Sequence, residues 1–276
     1  VKGGFFLVNG QFHKESEAVF NLRDLSLRAE GFSESFRAEH NEILFAESIC
    51  SHLVATAATL GLDLTGLIDP EGRLLRKDVS RLLNKNKLYS AAKICIQIFP
   101  SDTHVNVLLN AEEIERGYYP VKESGLLISF RQGRGKAIHP DVLYSPVEYS
   151  AKPADTGESD GIILNREGFA CECVGGSFAY IGEGKVFFTS DSPGGYRCAI
   201  KEEIFRSAED AGFQVVENEN ITASDLLQAE ELFLYDSCIG IRKVLGLEDR
   251  RYFSTKTHSI AKQLTLRAMQ DRKRRE

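Results

Sequence analysis

The stretch DGIILNREGFACECVGGSFAYIGEGKVFFTSDSPGGYR, residues 160–197, decides the fold. Ile162, Ile163 and Leu164 predict a short buried strand, and Arg166-Glu167-Gly168 a turn. Phe169 to Val174 predicts a second strand, with Glu172 at its centre between Cys171 and Cys173. Gly175-Gly176 breaks it. Ser177 to Ile181 resumes, Gly182-Glu183-Gly184 turns the chain, and Val186 to Thr189 returns. A glycine loop then opens onto a helix. A lone carboxylate inside an apolar strand costs free energy unless something partners it, so Glu172 either faces solvent or lines a pocket.

On the N-terminal side, Phe5 to Val8 and Gln11 to His13 flank Asn9-Gly10, the signature of a tight hairpin. Phe32 to Ala38 and Ile43 to Phe45 predict a second strand pair around His40-Asn41. A helix follows, with Ile49, Leu53, Ala57 and Leu60 on one face. Lys77 to Asn86 predicts another, and Ala92 to Phe99, Val105 to Leu109 and Gly125 to Phe130 predict strands. The basic, glycine-rich RQGRGKAIH (131–139) reads as a solvated linker. On the C-terminal side, helices are expected over Ala199–Ala211, over Ser224–Ala229 with Ser224 as cap, and over Thr257–Arg274. Leu232 to Tyr235 and Ile241 to Leu245 predict strands, and Val215-Val216 a short one.

The 276 residues suffice for one large or two medium cores, and 27% charged with 42% hydrophobic residues is ordinary for a soluble globular chain. A net charge of −6 argues against nucleic acid or an anionic membrane as the main partner. No apolar run reaches the length of a membrane helix, and VKGGFFLVNGQF lacks the pattern of a signal peptide. Six scattered cysteines read as reduced thiols of a cytoplasmic protein, with disulfides left open. The six histidines show no metal-ligand spacing, and no nucleotide-binding glycine motif is present.

Three segments in order resemble the class IV aminotransferases and aminodeoxychorismate lyases. They are residues 160–197, GFSESFRAEHNEILFAESICSHL (31–53) and ITASDLLQAEELFLYDSCIGIRKV (221–244). The resemblance implies the α/β (α+β), two-domain fold-type IV architecture of pyridoxal 5'-phosphate enzymes. That means an N-terminal α/β domain over 1–130, a linker over 131–139, and a C-terminal β-barrel-like domain with helices over 140–276. It also implies a homodimer and, for an active enzyme, an amino-acid, keto-acid or chorismate-like substrate.

The resemblance places the functional positions as well. Glu172 falls where the family holds the pyridine nitrogen protonated, which lets the ring accept electrons. The family's covalent lysine falls on His139, whose imidazole cannot form a Schiff base; Lys136 is the nearest amine if a gap shifts the register. The phosphate arginine of the first long helix becomes His52, a poorer anion fork than guanidinium. The "Gly-Ile-Thr-Arg" helix start becomes Cys198-Ala199-Ile200-Lys201, and Gly194 and Gly195 are left to present amides to an anion. A phosphate threonine becomes Tyr235, Asp236 adds negative charge beside it, and Ser237 is the compensating hydroxyl. Arg37 and Tyr149 are candidates for the substrate end. Two readings follow. In one, the chain is a relative that has lost or reduced its coenzyme catalysis, with the old cleft given over to a different small molecule or the chain serving as an interaction protein. In the other, it is an active aminotransferase or lyase using a shifted lysine such as Lys136, with pyridoxal 5'-phosphate bound.

Overall fold

The computed structural model describes residues 4–21, 23, 27–122, 124–132, 161–174, 176–190, 196–253 and 255–273. Lys136, His139, Tyr149, Gly194 and Gly195 lie outside them, as does the expected linker from residue 133 onward. The chain divides into two compact units, 1–118 with 270–276, and 119–269. The sequence expectation put the division near residue 130.

The first unit is built on a six-stranded antiparallel sheet in the order β2-β1-β6-β5-β3-β4. Its strands are β1 (Phe5–Val8), β2 (Gln11–Lys14), β3 (Phe32–Glu39), β4 (Glu42–Ile43), β5 (Ala91–Pro100) and β6 (Val105–Glu113). The Asn-Gly hairpin forms as its dihedrals require, with φ of 49° at Asn9 and 76° at Gly10. Alternation along β5 sends Ile94, Ile96 and Ile98 fully inward. Helix α1 (Ala46–Thr59) buries Ile49, Cys50, Leu53 and Ala57. Helix α2 (Arg73–Asn86) buries Leu75, Val79, Leu82 and Leu83 and packs on β1, β4 and β6. Each such aliphatic side chain contributes roughly 1.5–3 kcal/mol on leaving water. The strand expected over 43–45 stops at Ile43, because Phe45 turns left-handed (φ 54°) and starts α1. Its amide donates to Asp271 Oδ2 at 2.9 Å.

The second unit carries a nine-stranded sheet in the order β12-β11-β10-β13-β14-β7-β8-β9, with β15 on β14. The strands are β7 (Leu126–Gln132), β8 (Gly161–Leu164), β9 (Ala170–Cys173), β10 (Ser177–Gly182), β11 (Lys185–Thr189), β12 (Gln214–Asn218), β13 (Glu231–Asp236), β14 (Gly240–Leu247) and β15 (Arg250–Arg251). The β11/β12, β14/β7 and β7/β8 pairs are parallel and the other pairs antiparallel. The sheet curls into a half-barrel. Its last strand, β9, returns beside β10 through a turn in which the Cys173 amide donates to the Gly176 carbonyl. Phe178, Leu232, Leu234, Val244, Leu247 and Ile162 fill the inside of the curl.

Helices α3 (Lys201–Asp210), α4 (Ala223–Gln228) and α5 (Thr255–Lys273) complete this unit, apart from the end of α5, which belongs to the first. Helix α3 starts two residues later than expected, with Ile200 as its N-cap. The cap of α4 is Thr222 and not Ser224. Thr222 and Asp225 exchange side-chain-to-backbone bonds in a capping box, which leaves Ser224 inside the first turn.

Candidate functional site

Glu172 is buried, 1% exposed, at the centre of β9. Its Cα partner on β8 is Ile163, so strand pairing fixes where the carboxylate sits. Oε2 accepts the Tyr196 amide at 2.8 Å. The Tyr196 carbonyl in turn accepts from Ser177 Oγ at 2.7 Å, and Ser177 lies opposite Tyr235 on β13. β10 can run this close because residue 176 is glycine. A Cβ there would stand 2.6 Å from the Tyr235 carbonyl oxygen. The result is a desolvated anion held by a backbone donor. Such a group suits a protonated ring nitrogen or another buried cation.

Burial, followed by the charge of Glu172, pushes the neighbouring Cys171 thiol up to about 12. Burial likewise pushes the Tyr252 phenol to about 12. Both folded-state values are raised, so the folded state binds more protons in alkali. The stability these groups contribute is complete below the ordinary thiol value of 9.0 and is lost as pH rises toward 12. We expect denaturant midpoints to fall across that window. We also expect iodoacetamide at neutral pH to leave Cys171 unmodified in the folded chain while labelling it after unfolding, as read by peptide mass mapping. Rapid labelling of native Cys171 would contradict the burial that raises its pKa.

A second cluster forms where β13 turns into β14. Asp236 Oδ1 accepts the amides of Cys238 at 2.8 Å and Ile239 at 2.6 Å, and Oδ2 stands 3.6 Å from Arg242 Nε. Ser237 is fully buried, its hydroxyl 3.3 Å from Cys198 Sγ. The Ser237 carbonyl accepts from Tyr119 Oη at 3.0 Å. Tyr119 is left-handed (φ 55°), and its ring fills the space over Gly240, where a Cβ would stand 2.6 Å from Cδ1. Ala199 and Ile200 are buried at the start of α3. Lys201 donates from Nζ to the Thr189 carbonyl at 2.9 Å and to Glu217 at 2.6 Å.

In the second unit the segment Tyr196–Cys198 thus links Glu172 to Ser237, and Ala199 and Ile200 follow it directly at the start of α3. Two further predicted residues lie in the first unit. His52 Nε2 stands 3.6 Å from the buried Glu34 carboxylate. Arg37 is itself buried and grips Glu39 through Nε at 2.9 Å and Nη2 at 2.7 Å. Sequence reasoning passed over Tyr196, whose backbone amide donates to Glu172, and Ser177, whose hydroxyl donates to the Tyr196 carbonyl. It also passed over the turn bonds of Asp236, although aspartate accepting amides two and three residues on is a recognisable local pattern. Glu39, two residues from Arg37 on the same strand face, was legible as its partner.

A model of the family described as amino-transferase class IV matches residues 31–247. That span covers most of the chain, and the chain belongs to this family. Among solved structures it is similar to the branched-chain aminotransferase of Thermoproteus uzoniensis with norvaline, at 18% identity and TM-score 0.79, covering 98% of this chain and 97% of that one. It is similar to a hypothetical aminotransferase from Mycobacterium tuberculosis in its PLP-bound form, at 14% identity and TM-score 0.75, covering 97% and 100%. It is also similar to the branched-chain amino acid aminotransferase from Escherichia coli, at 15% identity and TM-score 0.77, covering 94% and 92%. At these identities the likeness is one of fold. No curated protein matches the sequence.

Proposed function

We propose that this chain keeps the class IV aminotransferase scaffold but has lost, or strongly reduced, coenzyme-dependent catalysis. The observation that carries this reading is the Asp236 turn. The family resemblance puts the coenzyme's phosphate at this turn and at the start of α3. Here the amides of Cys238 and Ile239 are taken by the chain's own carboxylate, and the Ser237 hydroxyl is shared with a thiol. An incoming phosphate would meet a buried negative charge and donors already engaged, which opposes binding. The ring end fits the coenzyme, since Glu172 is a buried carboxylate suited to a pyridinium; the phosphate end does not. The sequence supports the same reading through His139 at the lysine position and His52 at the arginine position. Lys201 is the one lysine buried among the described residues, and its amine is occupied by Thr189 and Glu217.

The buried Glu172 favours a second reading, an active amino-acid or keto-acid aminotransferase or a lyase of chorismate-like substrates, with Lys136 as the covalent amine. One experiment separates the two. Pyridoxal 5'-phosphate is added to the purified chain, the mixture is reduced with borohydride, and peptides are mapped by mass. We expect no yellow absorbance and no coenzyme-modified lysine. A modified Lys136, absent from Lys136→Ala, establishes the second reading instead. A homodimer is the assembly the resemblance implies, and sedimentation of the purified chain tests it.

A further inference from the structure

Alternation along the strands of the second unit splits their side chains between two faces. Cys173, Phe178 and Leu234 belong to the core inside the curl. Glu172, Ser177 and Tyr235, each next to one of these in sequence, therefore lie on the opposite face. Residues 196–198 run beside that face and belong to no helix or strand. They are tied at both ends. The Tyr196 amide donates to Glu172 Oε2 at 2.8 Å, and the Tyr196 carbonyl accepts from Ser177 Oγ at 2.7 Å. Cys198 Sγ stands 3.3 Å from Ser237 Oγ, and the Cys198 carbonyl accepts the Lys201 amide at 3.0 Å.

Tyr196 thus has both of its backbone groups engaged, one by a carboxylate and one by a hydroxyl. A hydrogen bond to a carboxylate is roughly twice as strong as a neutral one, and it weakens steeply as the donor turns away. The direction of the Tyr196 N–H therefore decides how well it serves Glu172, and Ser177 holds the other side of the same residue. Ser177 and Glu172 are both 1% exposed, so water does not readily replace a lost bond at either.

We propose that Ser177 is a positioning residue: its hydroxyl holds residues 196–198 so that one end presents a donor to Glu172 and the other rests Cys198 on Ser237. This rests on the reading of Glu172 as the carboxylate suited to a protonated ring, and it couples that carboxylate to the Ser237 turn. The test uses the full chain without coenzyme. Ser177→Ala is compared with Ser207→Ala, which removes another fully buried hydroxyl, bonded to the Glu203 carbonyl at 2.6 Å. In Ser177→Ala, hydrogen exchange at the Tyr196 amide and iodoacetamide labelling of Cys198 at neutral pH are each expected to rise about tenfold, while Cys171 stays unlabelled. Ser207→Ala is expected to leave both rates at the parent values. The NMR signal of the Tyr196 amide proton adds a readout that loose packing alone does not move. Glu172→Gln exchanges a charged acceptor for a neutral one, so it is expected to shift that signal in the parent and to shift it far less in Ser177→Ala. Should Ser177→Ala not fold, Ser177→Cys, a weaker donor of similar size, is expected to show the same changes at about a third of the size. Parent-like rates in whichever of the two folds, an equal rise in Ser207→Ala, or a Glu172→Gln shift as large in the Ser177 variant as in the parent would overturn the proposal. A coenzyme-modified Lys136 would overturn the lost-catalysis reading and leave this proposal standing, since none of these signals involves the coenzyme.

Discussion

Replacing Arg37 by alanine is expected to lower the stability of the first unit by about 3–5 kcal/mol, the range for a buried ion pair stripped of one partner. The cost comes from what is left behind. Glu39 is 1% exposed, and its Oε1 accepts from Arg37 Nε, Arg37 Nη2 and the Gly117 amide at 2.9 Å. Arg37 Nη2 also donates to the Glu115 carbonyl. Without the guanidinium, a desolvated carboxylate keeps a single backbone donor. Glu39→Ala should cost a similar amount by stranding the cation. The double change Arg37→Met with Glu39→Leu should cost much less than the sum, because neither charge remains buried. Guanidinium unfolding of the three variants measures this. The same comparison tests the substrate role suggested for Arg37. A residue kept chiefly to hold a ligand carboxylate could be replaced with little effect on unfolding. A midpoint for Arg37→Ala within about 0.5 kcal/mol of the parent, the usual range for a surface change, would return Arg37 to that role.

That pair also marks how far sequence reasoning reached. Arg37 was singled out as a residue type, and its spacing to Glu39 on one strand face was available. What no local pattern encodes is that Gly117 and Glu115, far along the chain, close the network. The same division runs through the fold. The Asn9-Gly10 hairpin, the β5 alternation and the strand order of residues 160–190 follow from short-range chemistry, and they were legible. The start of α1 was not, because the left-handed turn at Phe45 has its amide held by Asp271, more than two hundred residues away. The cap of α4 was misplaced because serine and threonine both qualify by type, and only the reciprocal bond with Asp225 selects Thr222. In the site, Glu172 stood out as a carboxylate in an apolar strand. Its donor, the Tyr196 amide, could not, since a backbone N–H carries no signature in the sequence. The parallel pairing of β7 with β14 and β8 is likewise set by tertiary packing.

The buried carboxylate of Glu231 should be worth about 3 kcal/mol to the second unit, and its loss should be felt first at the start of α5. The first backbone N–H groups of a helix have no partner within it. Here Oε1 accepts the Lys256 amide at 2.8 Å and Thr255 Oγ1 at 3.2 Å, and Oε2 accepts the Thr257 amide at 2.7 Å. Glu231 is 4% exposed and Thr257 1%, so water cannot readily replace the lost acceptor. A capping side chain is ordinarily worth about 1 kcal/mol at an exposed helix end. Burial raises the figure, because each unmet donor keeps its desolvation cost of about 1–3 kcal/mol. The negative charge also lies at the positive end of the helix dipole, a further gain in a partly buried setting. Glu231→Ala removes all of this. Glu231→Gln keeps one oxygen but turns an amide group toward the Thr257 N–H, donor against donor, and should lose about half as much. Amide hydrogen exchange distinguishes a cap from general packing. In Glu231→Ala the Lys256 and Thr257 amides should exchange faster than the middle of α5, where Ile260 and Leu264 stay buried. Uniform acceleration along the whole helix, or none, would show that the carboxylate does not hold the end.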